Sequence, residues 1–293
     1  MQACSCKVYQ KVAQLIYKEP FKERSSVKVR EIECKSLLNQ SRLADYCINP
    51  YVGCQHACRY CYAESYTRRF TKHAETWGDF LDVKVNAPMV LAREIKRKPR
   101  GRVYISSLTD AYQPLERKYE LTRKLLEILL KHQFPISIQT KSALVLRDLD
   151  LIQRFHEREV GFTITSLDDD IRKLFEPTSS SPEEKLSAIK ELKDHGVRTY
   201  VFFGPILPYI SDQNIEQYFQ QISAAGADYV LVDKLNLKPG LWANLDRYLS
   251  KDFPELHEKW KDTLLQKNDY YGKLKVEIDN LCQKLELECK FCF

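Results

Sequence analysis

The sequence predicts an α/β protein: a partial (βα)6 barrel of the TIM type, with parallel strands and extensions at both ends. Three observations predict it. Six short apolar runs alternate with helical patterns between residues 45 and 250, an order that lays parallel strands side by side through right-handed crossovers. None of these runs leads into a Gly-x-Gly-x-x-Gly turn, which makes a dinucleotide-binding sheet the weaker choice. Polar, chemistry-bearing residues gather just after the runs, at strand C-termini, where such a barrel keeps its reactive groups.

Residues 1–45 are polar and mixed and form an N-terminal extension. Within it Lys22–Ser26 reads as loop, and Val27–Cys34 alternates apolar and polar like a half-buried strand. Asp45–Asn49 is the first barrel strand, stopped by Pro50 and Gly53. Leu91–Lys98 ends a helix before the second strand, Arg102–Ser106. Tyr119–Lys131 places Leu121, Leu125, Ile128 and Leu129 on one helical face, and Pro135–Gln139 is the third strand. Leu146, Leu149, Ile152 and Phe155 line the next helix, and Phe162–Thr165 is the fourth strand. Pro182–His195 starts at an N-cap, Ser181, with proline at its first position and Gly196 as its stop. Arg198–Phe203, a helix over Asp212–Ala225 and a last strand, Tyr229–Val232, complete a barrel spanning 46–250. Residues 251–293 form a helical extension, with helices over Glu255–Gln266 and Leu274–Leu285 and a cysteine-bearing tail. With no internal linker, the chain reads as one domain.

The composition, 44% hydrophobic and 29% charged in 293 residues, is that of a soluble globular protein. No run of about 18 apolar residues spans a membrane, and Met1–Lys7 lacks the apolar core of a secretory signal. The expected location is the cytoplasm. Ten cysteines in such a chain point to metal or redox work rather than to a disulfide framework. A net charge of +6 permits an anionic partner such as nucleic acid without requiring one.

The densest chemistry lies in Asn49–Ala63, where Cys54, Cys58 and Cys61 form a C-x3-C-x2-C array. Thiolates select zinc, Cu(I) or iron–sulfur clusters. A closed zinc site wants four protein ligands and an ordinary cubane wants four cysteines. Three on one loop therefore leave one iron of a [4Fe–4S] cluster open to an outside ligand. The plainer alternatives are a zinc loop completed by His56, or three buried small side chains. Cys47 has no companion at ligand spacing and reads as a core residue.

This spacing, with Tyr60 before the last cysteine, resembles the radical S-adenosylmethionine (SAM) superfamily. The resemblance implies a cluster whose open iron is chelated by the amino and carboxylate groups of SAM. It further implies one-electron cleavage of SAM to a 5′-deoxyadenosyl radical, which takes hydrogen from a substrate, with flavodoxin or ferredoxin as electron donor. In that setting Ser106, Thr109 and Asp110 are candidates for SAM's amino group or ribose, the alternative being plain turn chemistry. Lys141 is a candidate point charge for its carboxylate. Ser166 and Asp168 are candidates for the ribose hydroxyls, and Asp169 and Asp170 are either ribose ligands or helix N-cap charges. Asp233, Lys234 and Asn236 face the same mouth as substrate contacts.

Taken with Asn49-Pro50-Tyr51, Lys84-Val85-Asn86, Ser107–Pro114, Thr140-Lys141-Ser142, Arg147–Asp150 and Lys234-Leu235-Asn236, the array resembles one branch of that superfamily. This is the spore-photoproduct-lyase-like group, also called DNA repair photolyases. In the lyase, as the family is known, a cysteine after the second strand returns a hydrogen atom to the repaired thymine. Here that loop carries Ser106 and Ser107, and a serine O–H bond is too strong for the step. Tyr112 or a distant cysteine is expected to substitute. Cys282, Cys289 and Cys292 form a second set, C-x6-C-x2-C. It is a candidate for a second iron–sulfur cluster or a zinc, with Cys4 or Cys6 as fourth ligand. The competing function is a zinc- or cluster-bearing nucleic-acid-binding protein without radical chemistry, using basic stretches such as Arg93–Arg102.

Overall fold

In chain order the strands are β1 Lys28–Ile32, β2 Asn39–Gln40, β3 Tyr46–Ile48, β4 Tyr51–Val52, β5 Phe80–Lys84, β6 Val103–Ile105, β7 Ile136–Thr140, β8 Arg158–Thr163, β9 Arg198–Ile206, β10 Tyr229–Lys234 and β11 Glu288–Phe291. The longer helices are α1 Tyr62–Phe70, α2 Ala87–Glu94, α3 Leu121–Lys131, α4 Asp169–Phe175, α5 Pro182–Asp194, α6 Ile215–Ala224, α7 Leu241–Asp252, α8 Pro254–Leu265 and α9 Tyr270–Lys284. This computed structural model describes residues 27–266 and 268–293; Cys4, Cys6 and the Lys22–Ser26 loop lie outside the described residues.

The main sheet runs β2-β3-β6-β7-β8-β9-β10-β11, and every pair in it is parallel except β2 with β3. It is the partial barrel the sequence predicts. Period two explains its two faces. Ile105, Ile138, Phe162, Val201 and Val230 turn outward into the core beneath the helices. Tyr104, Gln139, Tyr200, Phe202, Leu231 and Asp233 turn inward and line a cavity of about 700 Å³. Gly161 lets the lumen hold its aromatic wall, because a Cβ there would lie 2.1 Å from the Tyr200 ring.

Several elements differ from the sequence reading. The helix expected through Leu146–Phe155 is a 3-10 turn over Ala143–Asp148 followed by a short α-turn, Leu149–Ile152. Ser142 caps the tighter turn by accepting from the Leu144 N–H at 3.2 Å. The buried Asp148 is held there by Arg123 and Arg147 at 3.1 and 2.8 Å. β1 forms, but it is exposed along Lys28–Glu31 rather than half-buried and lies in a small separate sheet, β1-β5-β4, whose strand β5 the sequence reading lacks. The cysteine-bearing tail becomes β11, a seventh parallel strand laid along β10. No helix among the described residues is long and apolar enough to cross a membrane.

Candidate active site

The cysteine loop leaves β3 through Asn49 and is clamped from two sides. Asn49 Oδ1 accepts the N–H groups of Ser107 and Leu108 at 3.0 and 2.9 Å, which ties the loop to the end of β6. Lys84 Nζ donates to the Asn49 carbonyl at 2.7 Å. The Thr109 hydroxyl donates to the Gly53 carbonyl at 2.6 Å, and Gln113 Oε1 accepts the Gln55 N–H at 2.9 Å. Gly53 has φ +89°, and a Cβ there would meet the Phe80 carbonyl oxygen at 2.6 Å. From the far side, the Thr178 hydroxyl donates to the Gln55 carbonyl at 2.6 Å and the Arg59 N–H donates to the Phe175 carbonyl at 3.0 Å. Apart from Lys84, 35 positions away, the residues that tie the loop lie more than 50 positions along the chain.

Cys54, Cys58 and Cys61 line one pocket together with Ser106, Asp110, Lys141 and Thr140. None is in a disulfide. Burial raises all three thiols, Cys54 to about 12, with Lys141 opposing the rise at Cys58 and Cys61. Among the described residues, no three His, Cys, Asp or Glu side chains converge on one metal-ion position. Three cysteine thiols lining one pocket are the soft donor set that an iron–sulfur cluster takes. His56 lines the same pocket: its Nδ1 faces the Thr178 carbonyl at 3.1 Å, and its Nε2, without a hydrogen-bond partner, lies 3.2 Å from Asp110 Oδ2.

The strand-end residues divide into two groups. Lys141 and Ser106 face the pocket. Lys141 Nζ lies 5.8 Å from the Tyr60 ring centre, and although burial lowers its pKa, Cys58, Glu176 and Asp110 outweigh that and raise it. Ser106 Oγ is buried and makes no hydrogen bond. Asp110 and Thr109 also border the pocket, but as ties. Asp110 accepts from the Tyr112 and Lys141 N–H groups, each at 2.8 Å, and from the Thr140 hydroxyl at 2.7 Å. Burial opposes its ionisation, yet His56 and these donors hold it down at about 2. Ser166 and Asp168 line neither cavity. Asp168 accepts from the Asp170 and Ile171 N–H groups as the N-cap of α4, and Ser166 accepts from the Asp168 N–H at 3.1 Å. The N-cap of α4 is thus Asp168, whereas the sequence reading had Asp169 and Asp170 as the capping alternatives to ribose binding.

Tyr112, expected as a hydrogen donor, is also set apart. It is fully buried in the main core, 6.0 Å from the Arg147 guanidinium, and lines neither cavity. Its neighbours explain why the surrounding motif exists. Arg147 bridges Glu116 and Asp148, each at 2.8 Å, and Glu116 also receives the Tyr51 hydroxyl. These residues brace the back of the loop. Of the auxiliary candidates, Cys282 and Cys289 share a side-chain hydrogen bond, and Cys4 and Cys6 lie outside the described residues. Cys282 and Cys289 pack toward the helical layer, whereas Cys292 lines the lumen. In the Arg93–Arg102 stretch, Arg100 pairs with Glu157 at 3.0 Å and Arg102 with Glu159 at 3.3 Å.

Sequence reasoning missed Glu176. Fully buried, it receives the Tyr60 hydroxyl, the Thr165 and Ser179 hydroxyls at 3.0 and 3.1 Å, and Lys185 Nζ at 3.3 Å. Burial would raise its carboxyl, but Lys185 and Lys141 hold it down at about 2. Since Tyr60 stands between Cys58 and Cys61, this buried ion pair anchors the cysteine loop. Nothing local in Phe175–Ser181 marks it; its partner lies 116 positions upstream.

The Radical SAM superfamily model matches residues 48–222. The uncharacterized protein MJ0683 of Methanocaldococcus jannaschii is 33% identical over 91% of this chain and 97% of its own. A radical SAM Nalpha-GlyT isomerase of Pseudomonas phage M6 is 26% identical over 62% of this chain and 38% of its own. A spore photoproduct lyase structure with bound AdoMet and dinucleoside spore photoproduct superposes with a TM-score of 0.62 at 18% identity, over 77% of this chain and 66% of the lyase chain. That likeness carries the fold. With the family match spanning β3 to α6 and the cysteine loop at its start, this chain belongs to the radical SAM superfamily.

Proposed function

We propose that this enzyme uses a [4Fe–4S] cluster held by Cys54, Cys58 and Cys61 to cleave SAM reductively and abstract hydrogen from a substrate. One observation carries the reading: the thiols of Cys54, Cys58 and Cys61 share a pocket with Lys141 and Ser106, and that pocket has Cys58, Cys61 and Lys141 in common with the lumen cavity. Bound there, cluster and SAM supply one-electron chemistry that ends in a 5′-deoxyadenosyl radical. The chain's own groups bind and orient. Lys141 meets the SAM carboxylate as a point charge. Ser106 Oγ, left without a partner, meets a polar group of the same ligand. Asp110 and Glu176 keep Lys141 charged in a buried site. Tyr62, Tyr104 and Tyr200 give the lumen an aromatic wall beside the reacting carbon.

The substrate class we propose is a nucleobase, with flavodoxin or ferredoxin as the electron source. The dinucleoside in the lyase structure supports this class, and aromatic walls suit a flat ring. The test is iron counting and spectroscopy after anaerobic reconstitution. The reading expects about four irons per chain, a brown protein, and a new electron paramagnetic resonance signal on adding SAM. A colourless protein holding zinc would reject it. Stimulation of SAM cleavage by single-stranded DNA, but not by peptide mixtures, checks the substrate class.

A further inference from the structure

The pleat of β11 separates its cysteines. Register pairs Val230 with Cys289 and Val232 with Phe291. Successive side chains of a strand face opposite sides, so Cys289 goes with Val230 and Val232 into the helical layer. Cys292 goes with Leu231 and Asp233 to the lumen, on the wall of the same cavity as Cys58, Cys61 and Lys141. The Cys292 N–H donates to the Val232 carbonyl at 2.9 Å, which fixes the residue to that wall. Phe293 beyond it packs against Tyr271, 5.9 Å between ring centres, with Lys234 Nζ 5.2 Å from its own ring centre.

The surroundings of Cys292 favour the thiol over the thiolate. Burial and the Asp233 carboxylate both push its pKa up. A nucleophile or metal ligand wants the opposite; a hydrogen-atom donor needs the S–H bond kept. Among the described residues Cys292 is the thiol of these walls outside the cysteine loop; the O–H bonds of Ser106 and Ser107 are far stronger than S–H, while the phenols Tyr62 and Tyr104 are comparable and compete for the role. An independent feature says that the connected space is built for a ligand. Ser106 Oγ is only 6% exposed, faces the adjoining pocket and has no hydrogen-bond partner. Leaving a buried hydroxyl unpaired costs about 1–3 kcal/mol, a cost that a bound polar group removes.

We propose that Cys292 donates a hydrogen atom to the carbon radical formed in this cavity. The proposal rests on the radical SAM reading. The S–H bond breaks and a C–H bond forms, with no change in charge. The thiyl radical left on Cys292 is restored by one electron from the reductant and one proton from solvent. The step needs nothing from the loop after β6, which explains how that loop can carry serines.

The test uses the reconstituted full chain with SAM and dithionite in D2O and no added substrate, so that the adenosyl 5′ carbon is itself the radical to be quenched. Wild type should give 5′-deoxyadenosine carrying solvent deuterium. The deuterated fraction should fall several-fold in Cys292→Ala and in Cys292→Ser, which keeps the side-chain size, and stay unchanged in Cys289→Ala. Equal deuterium in wild type and Cys292→Ala, or none in wild type, overturns the proposal while leaving the radical SAM reading intact. Absence of 5′-deoxyadenosine from wild type removes that reading and the proposal with it.

Discussion

Cys58 and Tyr60 share three residues of chain, yet they meet opposite physical demands. The thiol faces the pocket, while the phenol reaches back to Glu176. That carboxylate and Lys185 are both about 1% exposed. Breaking a buried pair by removing one charge costs about 3–5 kcal/mol, whereas replacing both with apolar groups is often near neutral. Glu176→Gln should therefore lower stability in urea unfolding by about 3–5 kcal/mol. The double variant Glu176→Gln with Lys185→Met should lose less than the sum of the two single variants, because Gln keeps an acceptor for the Tyr60, Thr165 and Ser179 hydroxyls. Additive losses would mean that the pair does not act as a unit. At the metal, Cys58→Ala should hold far less iron after reconstitution and yield no 5′-deoxyadenosine. Iron content and product at wild-type levels would reject its role as a ligand. The cysteine array was legible because its three ligands sit within eight residues of sequence. Glu176 was not, because a single buried carboxylate looks in sequence like any solvated one.

Elements whose causes are local were read well. α5 begins with a capping box in which Ser181 Oγ accepts from the Glu184 N–H at 3.1 Å and Glu184 Oε2 accepts from the Ser181 N–H at 2.7 Å. Ser181→Ala should cost about 1 kcal/mol, read as a lower urea midpoint with an unchanged slope; no shift would show that the cap is idle. β11 shows the opposite case. Its Glu-Cys-Lys-Phe sequence has weak strand character, and its pairing with β10 spans some 60 residues. Only that pairing reveals which face each thiol takes, so the tail invited a reading as a ligand set. The helix expected through Leu146–Phe155 failed for a related reason. An apolar period was present, but Asp148 is buried against Arg123 and Arg147, and that tertiary demand overrides the period.

For the molecule as a whole, the sheet order followed from alternating runs and short connections, and the position of the site followed from the barrel geometry. What the sequence hid was the content of the lumen, since inward and outward residues of a strand look alike until the register is known. Buried charges also set the response to acid. Asp110 and Glu176 both have folded-state pKa values near 2, below their ordinary 3.8 and 4.5. A depressed folded value stabilises above the unfolded one and is lost as pH falls through the folded one. The apoprotein should thus lose stability steadily from about pH 4.5 down to about pH 2, seen as a falling urea midpoint; a flat midpoint across that window would contradict the assignment. The central claim is that this scaffold cleaves SAM by one electron, and 5′-deoxyadenosine measures it most directly. Anaerobically reconstituted protein given SAM and dithionite should release 5′-deoxyadenosine and methionine in equal amounts. Intact SAM after prolonged incubation of a protein with its full iron complement would contradict the account.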